Sequence, residues 1–145
     1  MLENGIVEEI TGRISYPSSF SSKKILRDLR SRIQSARKEN GLHIVISHME
    51  VKNAAISFEY YAKRIKKGFL CKKRFIPSSF TIVRLIDFSD SLDIFIQEKA
   101  KQIRRHFGKG YKIRLIGQTM KEGDNQILVC LLVYKWLLLA SLWVP

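Results

Sequence analysis

The chain has 145 residues, of which 46% are hydrophobic, so it is long and apolar enough to bury a core as one domain. Its 26 lysines and arginines against 13 aspartates and glutamates give a net charge of +13, which attracts phosphate-bearing partners, nucleic acid first and anionic lipid second. Cys71 and Cys130, far apart in the chain, exclude a disulfide framework and a CxxC metal motif. The few cysteines and an acidic N-terminus unlike a targeting segment predict an intracellular protein, cytoplasmic or nuclear.

The first half of the chain predicts two strands and two helices. Residues 6–16 predict a strand closed by Pro17, and residues 42–49, rich in Ile and Val, predict a buried strand. Between them, residues 22–40 predict an amphipathic helix, with apolar residues at helical spacing at Ile25, Leu26, Leu29, Ile33 and Ala36. Residues 53–67 predict a second helix. Its apolar stripe comprises Ala54, Ala55, Phe58, Tyr61, Ala62 and Ile65, with Asn53 as N-cap and Gly68 as the stop.

The second half predicts three strands around a third helix. Residues 80–86 predict a strand, and a helix capped by Ser89 is predicted to run through Phe107. Residues 111–118 and 127–134 predict two strands of a hairpin, because the polar residues between them are typical of a turn. The predicted order is β-α-β-α-β-α-β-β, and the sequence shows no internal repeat.

This order predicts one basic α+β domain over residues 1–145. We expect a four- to five-stranded mixed sheet with about three helices packed mainly on one face, of the ferredoxin-like or a related split β-α-β type. Over residues 71–118, the run CKKRFIPSS followed by a strand, a helix and a strand resembles ferredoxin-like RNA binders such as the THUMP domain. No individual residue role follows from that likeness.

Two basic groups carry the functional prediction. In residues 63–74, seven of twelve residues are basic, and Phe69 and Phe75 lie within or beside them. A helix C-terminus and loop of this kind can grip a phosphate backbone while an aromatic ring stacks on an unpaired base, although cations also complement a helix dipole. The candidate contacts in this group are Lys63, Arg64, Lys66, Lys67, Lys72, Lys73 and Arg74. At the end of the third helix the candidates are Arg104, Arg105 and Lys109.

Catalytic and metal-binding candidates are weaker. Asp87, Asp90 and Asp93 recur at a spacing of three and could hold a metal, while Asp87, Asp90 or His106 could perform acid–base chemistry on RNA. Helix capping explains the same aspartates, because carboxylates favour a helix N-terminus. We therefore predict a protein with no catalytic residues, no cofactor and no metal, and keep a small ribonuclease as an alternative.

The last nineteen residues, 127–145, contain one charge, at Lys135. One interpretation is a buried strand followed by a segment that packs on the domain or on a protein partner. A second is a membrane anchor, since about twenty apolar residues can cross a bilayer. A third is an exposed, aggregation-prone end.

Together these patterns predict a non-catalytic nucleic-acid-binding protein, RNA favoured over DNA, that grips phosphates with basic helix C-termini and loops. A peripheral or tail-anchored membrane protein with a basic cytosolic domain is the alternative, its residues 127–145 entering an anionic membrane.

Overall fold

A computed structural model describes residues 6–52, 54–65, 79–87, 90–120 and 125–135. Its eight elements are β1 (Ile6–Pro17), α1 (Ser22–Asn40), β2 (Leu42–Lys52), β3 (Ala55–Ile65), β4 (Ser79–Asp87), α2 (Leu92–Phe107), β5 (Tyr111–Thr119) and β6 (Gln126–Lys135). The strands form two antiparallel three-stranded sheets, sheet A in the order β1-β3-β2 and sheet B in the order β4-β6-β5.

The predicted fold class is wrong. Two separate antiparallel sheets replace the single mixed sheet of ferredoxin-like type, and the described residues form two helices instead of three. The other predicted strands, the first helix and the final hairpin pairing are confirmed. The last helix begins at Leu92, and its N-cap is Ser91. Ser89, the predicted cap, lies outside the described residues.

The error comes from β3, which was predicted to be a helix. Phe58 and Ala62 are four positions apart, so they satisfy a helical stripe, but they also satisfy the alternation of a strand. Ile56, Phe58 and Ala62 are buried, while Ser57 and Glu59 between them are not. Because β3 is the central strand of sheet A, pairing with β1 and β2 along its whole length outweighs its local helix preference. Asn53, the predicted N-cap, lies outside the described residues.

The eight elements form two β-α-β-β units of identical topology. Unit 1 consists of β1, α1, β2 and β3, and unit 2 consists of β4, α2, β5 and β6. In each unit the third strand is central and pairs antiparallel with the other two. The fold therefore contains a duplication that the sequence pattern does not reveal.

Local details repeat between the units. Each helix follows a serine N-cap, Ser21 or Ser91, whose hydroxyl accepts a hydrogen bond from the backbone N–H three residues later. Each helix is closed by a glycine, Gly41 or Gly108. The second strand of each unit also has a register shift after its fifth residue, as the pairing of β2 with β3 and of β5 with β6 shows.

The main apolar cluster joins the two units. It combines the inner face of α1 with one face of sheet A and one face of sheet B, through Tyr16, Ile25, Leu29, Ile46, Met49, Ile56, Phe58, Val83, Leu128 and Cys130. The opposite face of sheet B packs against α2. The face of sheet B that α2 does not cover thus packs against the side of unit 1 that carries α1.

This arrangement buries β6 on both faces. Leu128 and Cys130 face the main cluster, and Val129 and Leu131 face α2. The sequence of a strand that is covered on both faces is a continuous apolar run. The buried strand predicted at residues 127–134 is confirmed, and residues 136–145 lie outside the described part of the chain.

Candidate nucleic-acid interface

The outer face of α1 carries many exposed cations. Ile25 and Leu29 on the inner face are fully buried, which fixes the orientation of the helix. The exposed cations on the rest of the helix are Lys23, Lys24, Arg27, Arg30, Arg32, Arg37 and Lys38. No acidic residue lies in the first turn, whereas Arg37 and Lys38 in the last turn complement the helix dipole.

One acidic side chain on this helix is already engaged. The Tyr16 hydroxyl donates to Asp28 Oδ2 at 2.6 Å, and Arg32 Nε donates to the same oxygen at 2.7 Å. Both hydrogen bonds lower the pKa of Asp28, and the bond from Tyr16 has the larger effect. Burial, followed by the bond to Asp28, raises the pKa of Tyr16 above its usual value. The positive charge of Lys24, also on α1, lowers the pKa of Asp28 further.

A cleft of about 390 Å³ lies where α1 crosses the edge strand β4. Arg30 and Gln34 project from the helix wall, and Thr81 and Arg84 line the strand wall. The apolar lining comprises Ile33, Ile82 and Val83. The cleft therefore combines two guanidinium groups and two neutral polar groups with an apolar surface, and none of its lining residues is acidic.

Arg30 is fixed at the rim of this cleft. Its Nη2 donates to the backbone carbonyl of Val83 at 2.9 Å. A guanidinium has five N–H donors, so donors remain for an anion after this bond. Because β4 is an edge strand, the same bond satisfies a carbonyl that has no strand neighbour on that side.

Thr81 also has a fixed position. Its Oγ1 accepts a hydrogen bond of 2.8 Å from the backbone N–H of Ile46, in the edge strand β2 of the other sheet. The hydroxyl hydrogen remains able to donate. Strands from both units thus hold this wall of the cleft in place.

Arg84 connects the cleft with α2. It is exposed and forms no ion pair with any described residue. Burial, and then the positive charge of Arg84, lower the pKa of Lys99 on α2. Two cations from different elements therefore share this side of sheet B. Sequence reasoning missed Arg84 as a site residue, although a single charge inside the apolar run FTIVRLI is a recognisable signal.

The predicted residues Lys63 and Arg64 lie on β3, so their assignment to a helix C-terminus is wrong. Lys63 Nζ is 5.6 Å from the Tyr61 ring centroid, a cation–π distance. Arg64 Nη1 donates to the carbonyl of Asn40 at 2.9 Å, so it does complement a helix C-terminus, that of α1. Five further candidates lie outside the described residues: Lys66, Lys67, Lys72, Lys73 and Arg74.

The second predicted group lies where the sequence indicated. Arg104 and Arg105 are exposed in the last turn of α2, and Lys109 is exposed just beyond its end. Asp93 in the first turn provides the opposite charge at the other end, so the helix dipole accounts for part of the pattern. Their role in binding stays a prediction.

The acid–base candidates of the ribonuclease alternative lie at opposite ends of α2. Asp90, whose N–H donates to the Asp87 carbonyl, precedes the first residue of α2, whereas His106 lies in its last turn. A rise of 1.5 Å per residue puts His106 about 21 Å along the axis from Leu92, the first residue of the helix. Among the described residues, no three His, Cys, Asp or Glu side chains are grouped so that they could hold a metal ion.

Within the described ranges, no helix is both long enough and apolar enough to cross a bilayer.

The fold and the cleft define a basic α+β protein built from two β-α-β-β units, with an arginine-lined cleft where the helix of the first unit meets the edge strand of the second. Comparison with protein-family models, with curated proteins and with solved structures gives no match to this chain.

Proposed function

We propose that this protein binds nucleic acid, RNA in preference to DNA, and acts inside the cell, in the cytoplasm or nucleus, without catalysing a reaction. The observation that carries the proposal is the cleft between α1 and β4, which Arg30 and Arg84 both line and which has no acidic lining residue. Forked donors of this kind suit phosphate oxygens.

The surrounding charge supports the same partner. The basic face of α1 continues from Arg30 towards Arg37 and Lys38, and the net charge of +13 extends an attractive potential around the molecule. The predicted cations of residues 63–74 and those at the end of α2 belong to the proposed contact surface. RNA is favoured because an irregular basic cleft is better suited to a single strand than to a regular duplex groove.

Fluorescence anisotropy with labelled single-stranded RNA, duplex RNA and duplex DNA of one sequence tests the proposal. We expect binding that weakens steeply with salt, with a log–log slope of about −4 for six phosphate contacts to a single strand. A slope near zero, or no binding at low salt, would overturn the proposal. Anionic liposomes serve as the competing probe, and binding to them alone would favour the membrane-associated alternative.

A further inference from the structure

We infer that the cleft between α1 and β4 holds one unpaired nucleotide of a single-stranded nucleic acid, with its phosphate between Arg30 and Arg84 and its sugar and base against Ile33. This inference rests on the proposed function and adds to it the form of the ligand and the place where it is held.

The two arginines of the proposed phosphate site come from different elements, Arg30 from α1 and Arg84 from β4. Arg30 is anchored to the Val83 carbonyl, so its guanidinium is already positioned before a ligand arrives. Fixing a side chain in advance lowers the entropy that binding must remove. Arg84 approaches from β4, and the charge of Lys99 lies on the same side of the sheet. The nearest acid along α1, Asp28, is bonded to Tyr16 and Arg32 and leaves the positive charge of the cleft intact.

The cleft is larger and more apolar than a phosphate alone requires. Its volume of about 390 Å³ lies within the range of small-molecule sites, and the half-buried Ile33 lies beside it, whereas Ile82 packs towards α2. A sugar and a base would cover Ile33, whereas inorganic phosphate would leave it in contact with water. Gln34 and Thr81 add neutral donors and acceptors that can meet the edge of a base.

The concave shape favours a single strand. Bases in a duplex are stacked and paired inside the helix, so a protein cleft reaches only the outer phosphates. In a single strand a base can turn out and enter a pocket, as in most sequence-specific recognition of RNA. The cleft therefore distinguishes the two forms of nucleic acid, whereas the exposed cations of α1 attract both.

The test compares Arg84→Glu with Arg114→Glu. Arg114 is an exposed arginine on β5, the other edge strand of the same sheet, so the change in net charge is identical. We expect Arg84→Glu to weaken binding of a labelled single-stranded RNA of about ten nucleotides by about ten- to hundred-fold more than Arg114→Glu does. For the duplex of the same sequence, the two variants should lose affinity equally.

A second pair of variants adds charge without removing an arginine. Gln34→Glu places a carboxylate in the cleft, and Gln97→Glu makes the same change on the exposed face of α2. Both positions are exposed, so both variants should keep the thermal midpoint of the parent protein. Only Gln34→Glu should weaken binding of the single strand.

Titration of the ¹⁵N-labelled protein with adenosine 5′-monophosphate observes the cleft directly, and the backbone amides of Gln34, Thr81 and Arg84 should shift. Equal losses for Arg84→Glu and Arg114→Glu on a single strand, or cleft amides that do not move, would overturn the inference. If the parent protein still binds RNA with steep salt dependence in that case, the proposed function stands. A parent protein that binds no nucleic acid overturns both.

Discussion

Arg13 Nη2 donates to Glu59 Oε1 at 2.8 Å across strands β1 and β3, on the face of sheet A that lacks a helix. The duplicated topology places this pair where unit 2 has Val83 and Cys130, which are paired across β4 and β6. Both residues of the unit 2 pair are buried. The same backbone position is thus charged in one unit and apolar in the other.

The next cross-strand pair differs in the same way. Ser15 and Ser57 share a hydrogen bond of 2.9 Å between their hydroxyl oxygens, and their counterparts in unit 2 are Leu85 and Leu128. The helix-free face of sheet B is covered by unit 1, whereas these pairs on the helix-free face of sheet A are polar, with Arg13 and Ser15 exposed. A polar face at this end discourages a further unit from stacking in the same manner.

Equivalent truncations in the two units should therefore have unequal effects on stability. Leu128→Ala removes a fully buried side chain from the main cluster and should lower the free energy of unfolding by about 2–5 kcal/mol. Ser57→Ala, at the matching position, should change it little, because an exposed polar pair contributes little. Urea unfolding followed by circular dichroism measures both. Equal losses would contradict the assignment of the two faces.

Stability should fall in acid partly through Asp28. Its pKa is lower in the folded protein than the ordinary value of 3.8, because Tyr16 and Arg32 donate to its carboxylate. A carboxyl group whose pKa is lower in the folded than in the unfolded protein stabilises the fold at any pH above its unfolded pKa. This contribution is lost as the pH falls through the folded pKa. Asp28→Asn should make the free energy of unfolding less dependent on pH below about 4. Urea midpoints for the parent and the variant between pH 2.5 and 6 test this, and identical pH profiles would contradict it.

Cys130 should be unreactive in the folded protein. It is fully buried in β6, and burial raises the pKa of its thiol to about 12. A Cys71→Ser background leaves Cys130 as the sole thiol for Ellman's reagent at pH 8. We expect no reaction in native buffer and complete reaction in denaturant. Rapid labelling of the native protein would show that β6 is accessible.

Gly12 should be intolerant of a side chain because of Tyr60, its cross-strand partner. A Cβ at Gly12 would collide with the Tyr60 hydroxyl and ring. Gly12→Ala should cost about 1–3 kcal/mol of stability when Tyr60 is present. The cost should be smaller in a Tyr60→Ser background, where the ring is absent, and a double-mutant cycle measures this coupling. A cost that is the same in both backgrounds would show that contact with Tyr60 is not its cause.

Part of the candidate interface could be predicted from the sequence. The 3.6-residue periodicity of α1 predicts which of its residues form the basic face. The glycine that closes α2 predicts where that helix ends, and so that the cations lie at its C-terminus. The cleft could not be predicted, because Arg30 and Arg84 belong to different units and meet only when α1 packs on sheet B. Arg64 illustrates the same limit, since it caps a helix other than the one to which it was assigned.

The sequence by itself determined the charge, both helices, five of the six strands and the burial of β6, since these depend on composition and on patterns within one segment. Only the tertiary structure decided that β3 is a strand, because Phe58 and Ala62 fit both periods and pairing with two neighbours selects one. It also decided the division into two sheets, since strand order depends on contacts between residues far apart in the chain. The presence of Arg30 and Arg84 along one cleft is a consequence of that division.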